Sequence, residues 1–270
     1  MEIKIKPEGT GQLHGIYMPV KGAKAGVILV HGIGEHTGRY RHLAEFFNKN
    51  SYSFIGLDLP GHGRSPGKRG HISSLGICNN IIDSMAARLR DDKQDLPLVL
   101  YGHSLGGGIA LNYLLTAVNI KQAIISSPWL KLSNEPPAFK VLLASAVQFV
   151  LPSFVQHSGL NPEDFTSDSG MLEDYYSDPL NHSMISARLY VAAAKNAEAL
   201  LGCRDKITVP VLIIHGAKDR ISSVEGSETF AANNSMAELK VWAEGRHELH
   251  NETFREKVMK YVLEWLNKGS

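Results

Sequence analysis

Short apolar runs recur along this chain, at residues 26–30, 53–57, 98–101, 123–125, 211–215 and 239–242. They end in glycine-bearing turns, and segments of helix length follow. A run that is apolar at every position has no polar face to offer water. It predicts a central strand covered on both sides, as in a parallel sheet sandwiched between helices. The alternation of strand and helix leads to the same α/β architecture. Two helices are legible by period. Ile81, Met85 and Leu89 recur every fourth residue, and Phe254, Val258, Tyr261, Val262 and Trp265 form one apolar stripe near the C-terminus. Residues 3–6 and 13–17 alternate around Gly9 and Gly11, which predicts an N-terminal hairpin.

The pattern breaks between residues 128 and 194, a stretch rich in Pro, Ser, Asp and aromatics that shows no strand run. It contains one apolar helix candidate, Ala138–Val150, stopped by Pro152. The expected organisation is a sheet core of residues 1–127 and 195–270, with 128–194 inserted as a helical cap over one end of the sheet.

With 270 residues, 43% hydrophobic and 20% charged, the chain suits one large globular domain that needs no staple. A formal net charge of +1 without any long basic run argues against a nucleic-acid partner. The two cysteines, Cys78 and Cys203, are far apart and outside any CxxC pair. This argues against a zinc site or a disulfide framework and for a reducing compartment. Residues 1–10 lack the apolar core of a signal peptide. The longest apolar-rich run, 141–151, is too short to span a bilayer. The expectation is a cytoplasmic protein that can touch a membrane surface transiently through the cap.

Chemistry concentrates where strands end. Residues 98–101 lead into Gly102-His103-Ser104-Leu105-Gly106, a G-x-S-x-G sequence followed by a glycine-rich helix start. Such a strand–turn–helix holds Ser104 in a strained, exposed position, with the helix N-terminus aimed at developing negative charge. His31-Gly32-Ile33-Gly34 follows the first central strand. The N–H groups of Ile33 and Leu105 are therefore the candidate oxyanion-hole donors. A serine hydroxyl needs a base. The chain has 12 histidines, and the order nucleophile, acid, base leaves His215, His247 and His250, with His157 and His182 inside the insertion. His247 lies in the loop between the last strand and the last helix, where a base must sit. His215 ends a strand and suits support of the acid loop, and His250 suits a helix cap. Asp219 is the carboxylate in the turn after 211–215 and is the candidate acid. Asp58 is expected to cap its own turn. Glu35, His36, Arg39 and Tyr40 are expected to cap a helix and pack under the oxyanion turn, and Cys203 to be a buried inert thiol.

At this point the chain resembles the monoacylglycerol lipases and their lysophospholipase relatives, which are α/β-hydrolases. The resemblance lies in His31-Gly32-Ile33-Gly34-Glu35-His36-Thr37-Gly38-Arg39-Tyr40, in residues 58–65 read as D-x-x-G-H-G-R-S, and in the Ser104 motif. Asp178-Pro179, the 215–219 loop and Gly245-Arg246-His247-Glu248-Leu249 extend it. It implies a capped α/β-hydrolase without metal or organic cofactor that cleaves single-chain acyl esters, with Ser104 as nucleophile, Asp219 as acid and His247 as base. The cap is the least matched region and is expected to set the substrate. From composition and spacing, Leu142 and Phe149 of its apolar helix are the candidate substrate-lining residues. Short-chain esterase, aminopeptidase and acyltransferase activities on the same fold remain open, as does a non-catalytic ligand-binding role. A complete Ser, Asp, His set speaks against the last.

Overall fold

The computed structural model describes residues 1–117 and 119–268. The chain opens on an antiparallel hairpin of β1 (Glu2–Ile5) and β2 (Leu13–Met18). It then alternates through β3 (Ala25–Val30), α1 (Arg41–Lys49), β4 (Tyr52–Leu57), α2 (Gly76–Asp92), β5 (Leu98–His103), α3 (Leu105–Leu114) and β6 (Gln122–Ser126). An excursion follows, with α4 (Ala138–Val150), β7 (Val155–His157), α5 (Ser169–Ser177), β8 (Met184–Ser186) and α6 (Ala187–Leu201). The alternation resumes with β9 (Val211–Gly216), α7 (Val224–Ala232), β10 (Ala237–Trp242) and α8 (Arg255–Lys268). Among the described residues the main sheet runs β1-β2-β4-β3-β5-β6-β9-β10. β2 is antiparallel to both its neighbours, and from β4 to β10 all pairs are parallel.

The fully apolar strands are explained by what covers them. Side chains alternate across a strand. Ile28, Ile55, Leu100, Ile125 and Ile213 face one layer, where α2, α3, α6 and α7 bury Met85, Ile109, Leu189 and Phe230. Val27, Phe54, Val99, Ile124 and Leu212 face the other, against Phe47 of α1 and Val258 and Val262 of α8. Both faces are dry, so a polar side chain in these strands costs free energy unless it finds a partner.

The edge departs from the sequence expectation. β10 is only half-buried, because no strand among the described residues pairs with its outer side, and it carries Glu238 and Lys240. The predicted C-terminal stripe is rotated accordingly. Val258, Met259, Val262 and Leu266 are its buried members, while Tyr261 and Trp265 stay partly exposed and donate to the Glu238 carboxylate (3.0 and 2.9 Å).

The excursion between β6 and β9 is mainly helical, as expected, but it also holds a short antiparallel ribbon, β7 with β8. Three-residue strands are too short to show a period. Helix α6 runs unbroken across residues 194 and 195, and its Leu189, Ala193, Ala197 and Leu200 belong to the core layer. The excursion is tied down by backbone: His182 N–H donates to Gly34 C=O (2.9 Å), Ser186 N–H to Gly70 C=O (2.8 Å) and Glu248 N–H to Phe165 C=O (2.7 Å).

Helix α3 meets the sheet closely. A Cβ on Gly106 would lie 2.1 Å from the Val30 carbonyl oxygen, and one on Gly102 would lie 2.6 Å from that of Gly106. Neither neighbour is a flexible tip that can yield. Gly106→Ala should therefore push α3 off the sheet, at the roughly 1–3 kcal/mol typical of overpacking, and lower the melting temperature by several degrees in a circular dichroism melt. An unchanged melt would show that α3 sits more loosely than described.

Candidate active site

Ser104 stands between β5 and α3 with φ +53° and ψ −118°. A non-glycine residue holds such a conformation only where its surroundings over-determine it. Here the Ser104 N–H donates to Ser126 C=O (3.0 Å), and its own C=O accepts from Gly108 N–H (3.1 Å) and Trp129 N–H (2.9 Å). The turn is thus clamped to the ends of β6 and α3.

Two further loops bring partners to it. His247 follows β10, and its Nε2 lies 2.9 Å from Ser104 Oγ. Its Nδ1 lies 2.8 Å from Oδ2 of Asp219, in the turn after β9. A carboxylate only accepts, so Nδ1 carries the proton and Nε2 is free to accept from the serine hydroxyl. All three side chains are buried. Ser104, Asp219 and His247, singled out from sequence, are thus brought into one hydrogen-bonded line. Asp219 Oδ1 accepts from the N–H groups of Ile221 (2.8 Å) and Ser222 (3.0 Å). Burial opposes the Asp219 charge, but His247 and His215 outweigh it and hold the carboxyl well below the usual range. Burial likewise opposes an imidazolium at His247, and the Asp219 charge and hydrogen bond overcome that and raise its pKa.

The oxyanion turn is braced from beneath. Glu35 accepts from Gly32 N–H (2.5 Å), Tyr40 O–H (2.6 Å) and Arg39 (3.0 Å). Arg39 forks onto both oxygens of Glu248 (2.6 and 2.7 Å), the residue after His247. A bidentate guanidinium fixes orientation as well as charge. Burial pushes Glu35 up to about 7, whereas the Arg39 fork overrides burial at Glu248 and holds it well below the carboxylate range. His36 caps the short helix Thr37–Tyr40 by accepting from Gly38 N–H (3.1 Å), and its Nε2 lies 2.8 Å from Asp178. Asp58 caps its own turn by accepting from Thr37 N–H and Arg64 N–H. Ile33 and Leu105 flank Ser104. Ile33 lines the same cavity, and Leu105 is the first residue of α3.

His215 supports the acid turn, with Nε2 3.1 Å from Asp219 Oδ2. His250 does not cap a helix. Its ring is buried and stacked on Tyr40 (4.5 Å between centroids), and its C=O accepts from His42. Sequence spacing had no means of distinguishing a stacked ring from a cap. Two participants carried no sequence signal: Ser222, whose Oγ lies 3.3 Å from His247 Nδ1, and His103, buried 4.8 Å from the His247 ring and pushed down to about 3 by desolvation.

A cavity of about 230 Å³ opens over Ser104, walled by Ile33, Trp129, Leu132, Val141, Ala144 and Ile185. Leu142 and Phe149 do not line it. They sit on the outer face of α4, 74% and 78% exposed, and Val141 and Ala144 form the inner face instead. Helix α4 spans Ala138–Val150, but its polar residues lie inward: Lys140 lines the cavity with Val141 and Ala144, and Ser145 and Gln148 are half-buried, so the more apolar face turns outward. Among the described residues no group of three His, Cys, Asp or Glu side chains is placed to hold a metal ion.

Fold and site together define an α/β-hydrolase built around a serine, histidine and aspartate line. The chain belongs to the serine aminopeptidase S33 family of hydrolases, whose model matches residues 21–254. A Paleococcus ferrophilus monoacylglycerol lipase of known structure superposes with a TM-score of 0.88 at 32% identity, covering 96% of this chain and 99% of that one. Human monoglyceride lipase is 31% identical over 252 residues, 87% of this chain and 79% of the human protein. An abhydrolase domain-containing protein of Dictyostelium discoideum is 30% identical over 249 residues; the match takes in 90% of this chain but only 26% of that protein's length.

A base must be neutral to accept a proton. With its pKa raised, His247 is charged below that value and free above it. kcat/KM should therefore be lost as pH falls and rise through a midpoint above about 6.5. A pH–rate profile checks this, and a midpoint near 5 would contradict the Asp219 contact.

Proposed function

We propose that this chain hydrolyses carboxylic esters bearing a single acyl chain, of the monoacylglycerol or lysophospholipid type. The observation that carries this reading is the Ser104–His247–Asp219 line opening, at Ser104, into a cavity that pairs an apolar wall of Ile33, Trp129, Val141 and Ile185 with polar side chains such as Asn134, Asn161 and Arg220. The relatives named as monoglyceride and monoacylglycerol lipases support the substrate class.

In this reading Ser104 Oγ attacks the ester carbonyl carbon as His247 Nε2 takes its proton. The N–H groups of Ile33 and Leu105 hold the resulting oxyanion. The bond to the leaving oxygen breaks, and His247 returns the proton to the departing alcohol. Water then attacks the acyl-enzyme, giving its proton to His247, and the fatty acid leaves as Ser104 is reprotonated. Arg39 acts at a distance, locking the oxyanion turn to the His247 loop through Glu35 and Glu248.

Residues 128–194 serve as the cap, with the continuous helix α6 as its root in the core. The inner face of α4 meets the acyl chain. Its outer face, with Phe139, Leu142, Leu143, Phe149 and Val150 exposed, rests transiently on a lipid surface. No helix among the described residues is long and apolar enough to cross a membrane. A cytoplasmic location with peripheral contact agrees with this and with the free, buried Cys78 and Cys203.

Ser104→Ala should lose roughly 10⁶-fold in kcat and no longer react with a fluorophosphonate probe, while melting like the parent. Activity within tenfold of the parent would remove the assignment. A panel of monoacylglycerols, lysophospholipids, short nitrophenyl esters and aminoacyl amides then identifies the substrate; preference for the amides would favour a peptidase.

The two faces of α4 should separate. Val141→Trp narrows the cavity and should depress kcat/KM for long-chain monoesters while sparing acetate esters. Leu142→Ser should leave monomeric substrates alone and weaken sedimentation with phosphatidylcholine vesicles. If Leu142→Ser instead changes the chain-length profile, the helix is turned the other way in solution.

A further inference from the structure

We propose that His215 is a positioning residue that sets the basicity of His247 by sharing the Asp219 carboxylate. The proposal rests on the Ser104–His247–Asp219 reading above and extends it to a residue that touches neither Ser104 nor the cavity.

The tautomer of His215 follows from its neighbours. Its Nε2 faces two groups that can only accept, Asp219 Oδ2 and the Ser222 C=O, each at 3.1 Å. Nε2 therefore carries a proton. In the neutral ring Nδ1 is then bare, and it accepts from the Ser227 hydroxyl at 2.8 Å. Ser227 lies on α7 and is buried, as are His215 and Asp219. The ring is held from three sides with its N–H aimed at one oxygen.

That oxygen is the one His247 uses. Oδ2 accepts from His247 Nδ1 at 2.8 Å and from His215 Nε2 at 3.1 Å, while Oδ1 is taken by two backbone N–H groups. Each donor to a carboxylate withdraws charge from it and weakens its pull on the next. With His215 in place, Asp219 fixes the His247 tautomer but draws less strongly on the imidazolium. Without it, the whole charge of Oδ2 falls to His247, whose pKa rises. The other groups that bear on His247 are Ser222, whose Oγ lies 3.3 Å from Nδ1, His103, 4.8 Å away between ring centroids, and the carboxylates of Glu248 and Glu35, both committed to Arg39. The His215 side chain meets Ser222 at its backbone C=O, not at the hydroxyl that faces His247, and hydrogen-bonds to none of the other three.

The test compares His215→Leu, which removes the donor, with His215→Gln, which offers an amide N–H in its place. In His215→Leu the acid limb of kcat/KM should move upward by about one pH unit, the scale of losing one charge-assisted hydrogen bond. In His215→Gln it should return most of the way. Fluorophosphonate labelling of Ser104 in the parent, followed against pH, gives a second readout independent of substrate. If the limb stays in place in both variants while each labels and melts like the parent, His215 is merely structural and the proposal falls. If His215→Leu does not fold, His215→Met replaces it as the variant without a donor, and an unmoved limb there overturns the proposal equally. If the parent itself fails to label at Ser104, the underlying catalytic reading is at fault instead.

Discussion

Every functional group here depends on one constraint: parallel strands place all their C-terminal ends at the same edge of the sheet. β3, β5, β9 and β10 run together, so the loops after them meet. The oxyanion turn, Ser104, Asp219 and His247 occupy those four loops in that order. Ser104 and His247, 143 positions apart in sequence, become hydrogen-bonding neighbours at 2.9 Å. The sheet can be parallel only because helices dry both of its faces, which is why its central strands tolerate no polar side. The edge strand β10 escapes that demand, and there charge appears.

Burying ionised groups is costly unless each has a partner. The site contains two such systems, and both are closed. Asp219 spends its oxygens on two backbone N–H groups and two imidazoles. Arg39 satisfies Glu248 with a fork and reaches Glu35 with the same nitrogen that meets Glu248 Oε1. The consequence for function is geometric. Gly32 is held by Glu35, and Glu248 follows His247 in the chain, so one guanidinium ties the His31–Gly34 turn to the His247 loop. The strained backbone of Ser104 is sustained similarly, by hydrogen bonds from elements on either side of it.

The insertion obeys different rules. Helix α4 has no fully buried residue, and its apolar side chains divide between a cavity and the outside. Such a helix derives its place from α6, whose Arg188 donates to the Gln148 C=O, not from a core of its own. Large exposed apolar side chains are tolerated where a second apolar phase covers them intermittently, which is the relation proposed between this face and lipid.

The sequence by itself determined the parallel α/β core, the serine turn, the oxyanion turn and the acid and base loops. Each is local: an unbroken apolar run demands cover on both faces, and glycines at 102 and 106 are required by approaches of 2.6 and 2.1 Å. Chain order narrowed the histidines, and position in the loops after the last two strands made Asp219 and His247 the candidates. Tertiary structure alone decided the rest. It turned Leu142 and Phe149 outward, because the polar positions Lys140, Ser145 and Gln148 fall on the cavity side of the helix and its apolar stripe faces away from the core. It stacked His250 on Tyr40, ran α6 through the expected boundary at 194, and set His215 beside His247 on one carboxylate oxygen. Those outcomes depend on contacts between segments far apart in the chain, and such contacts leave no trace in the spacing of residues along it.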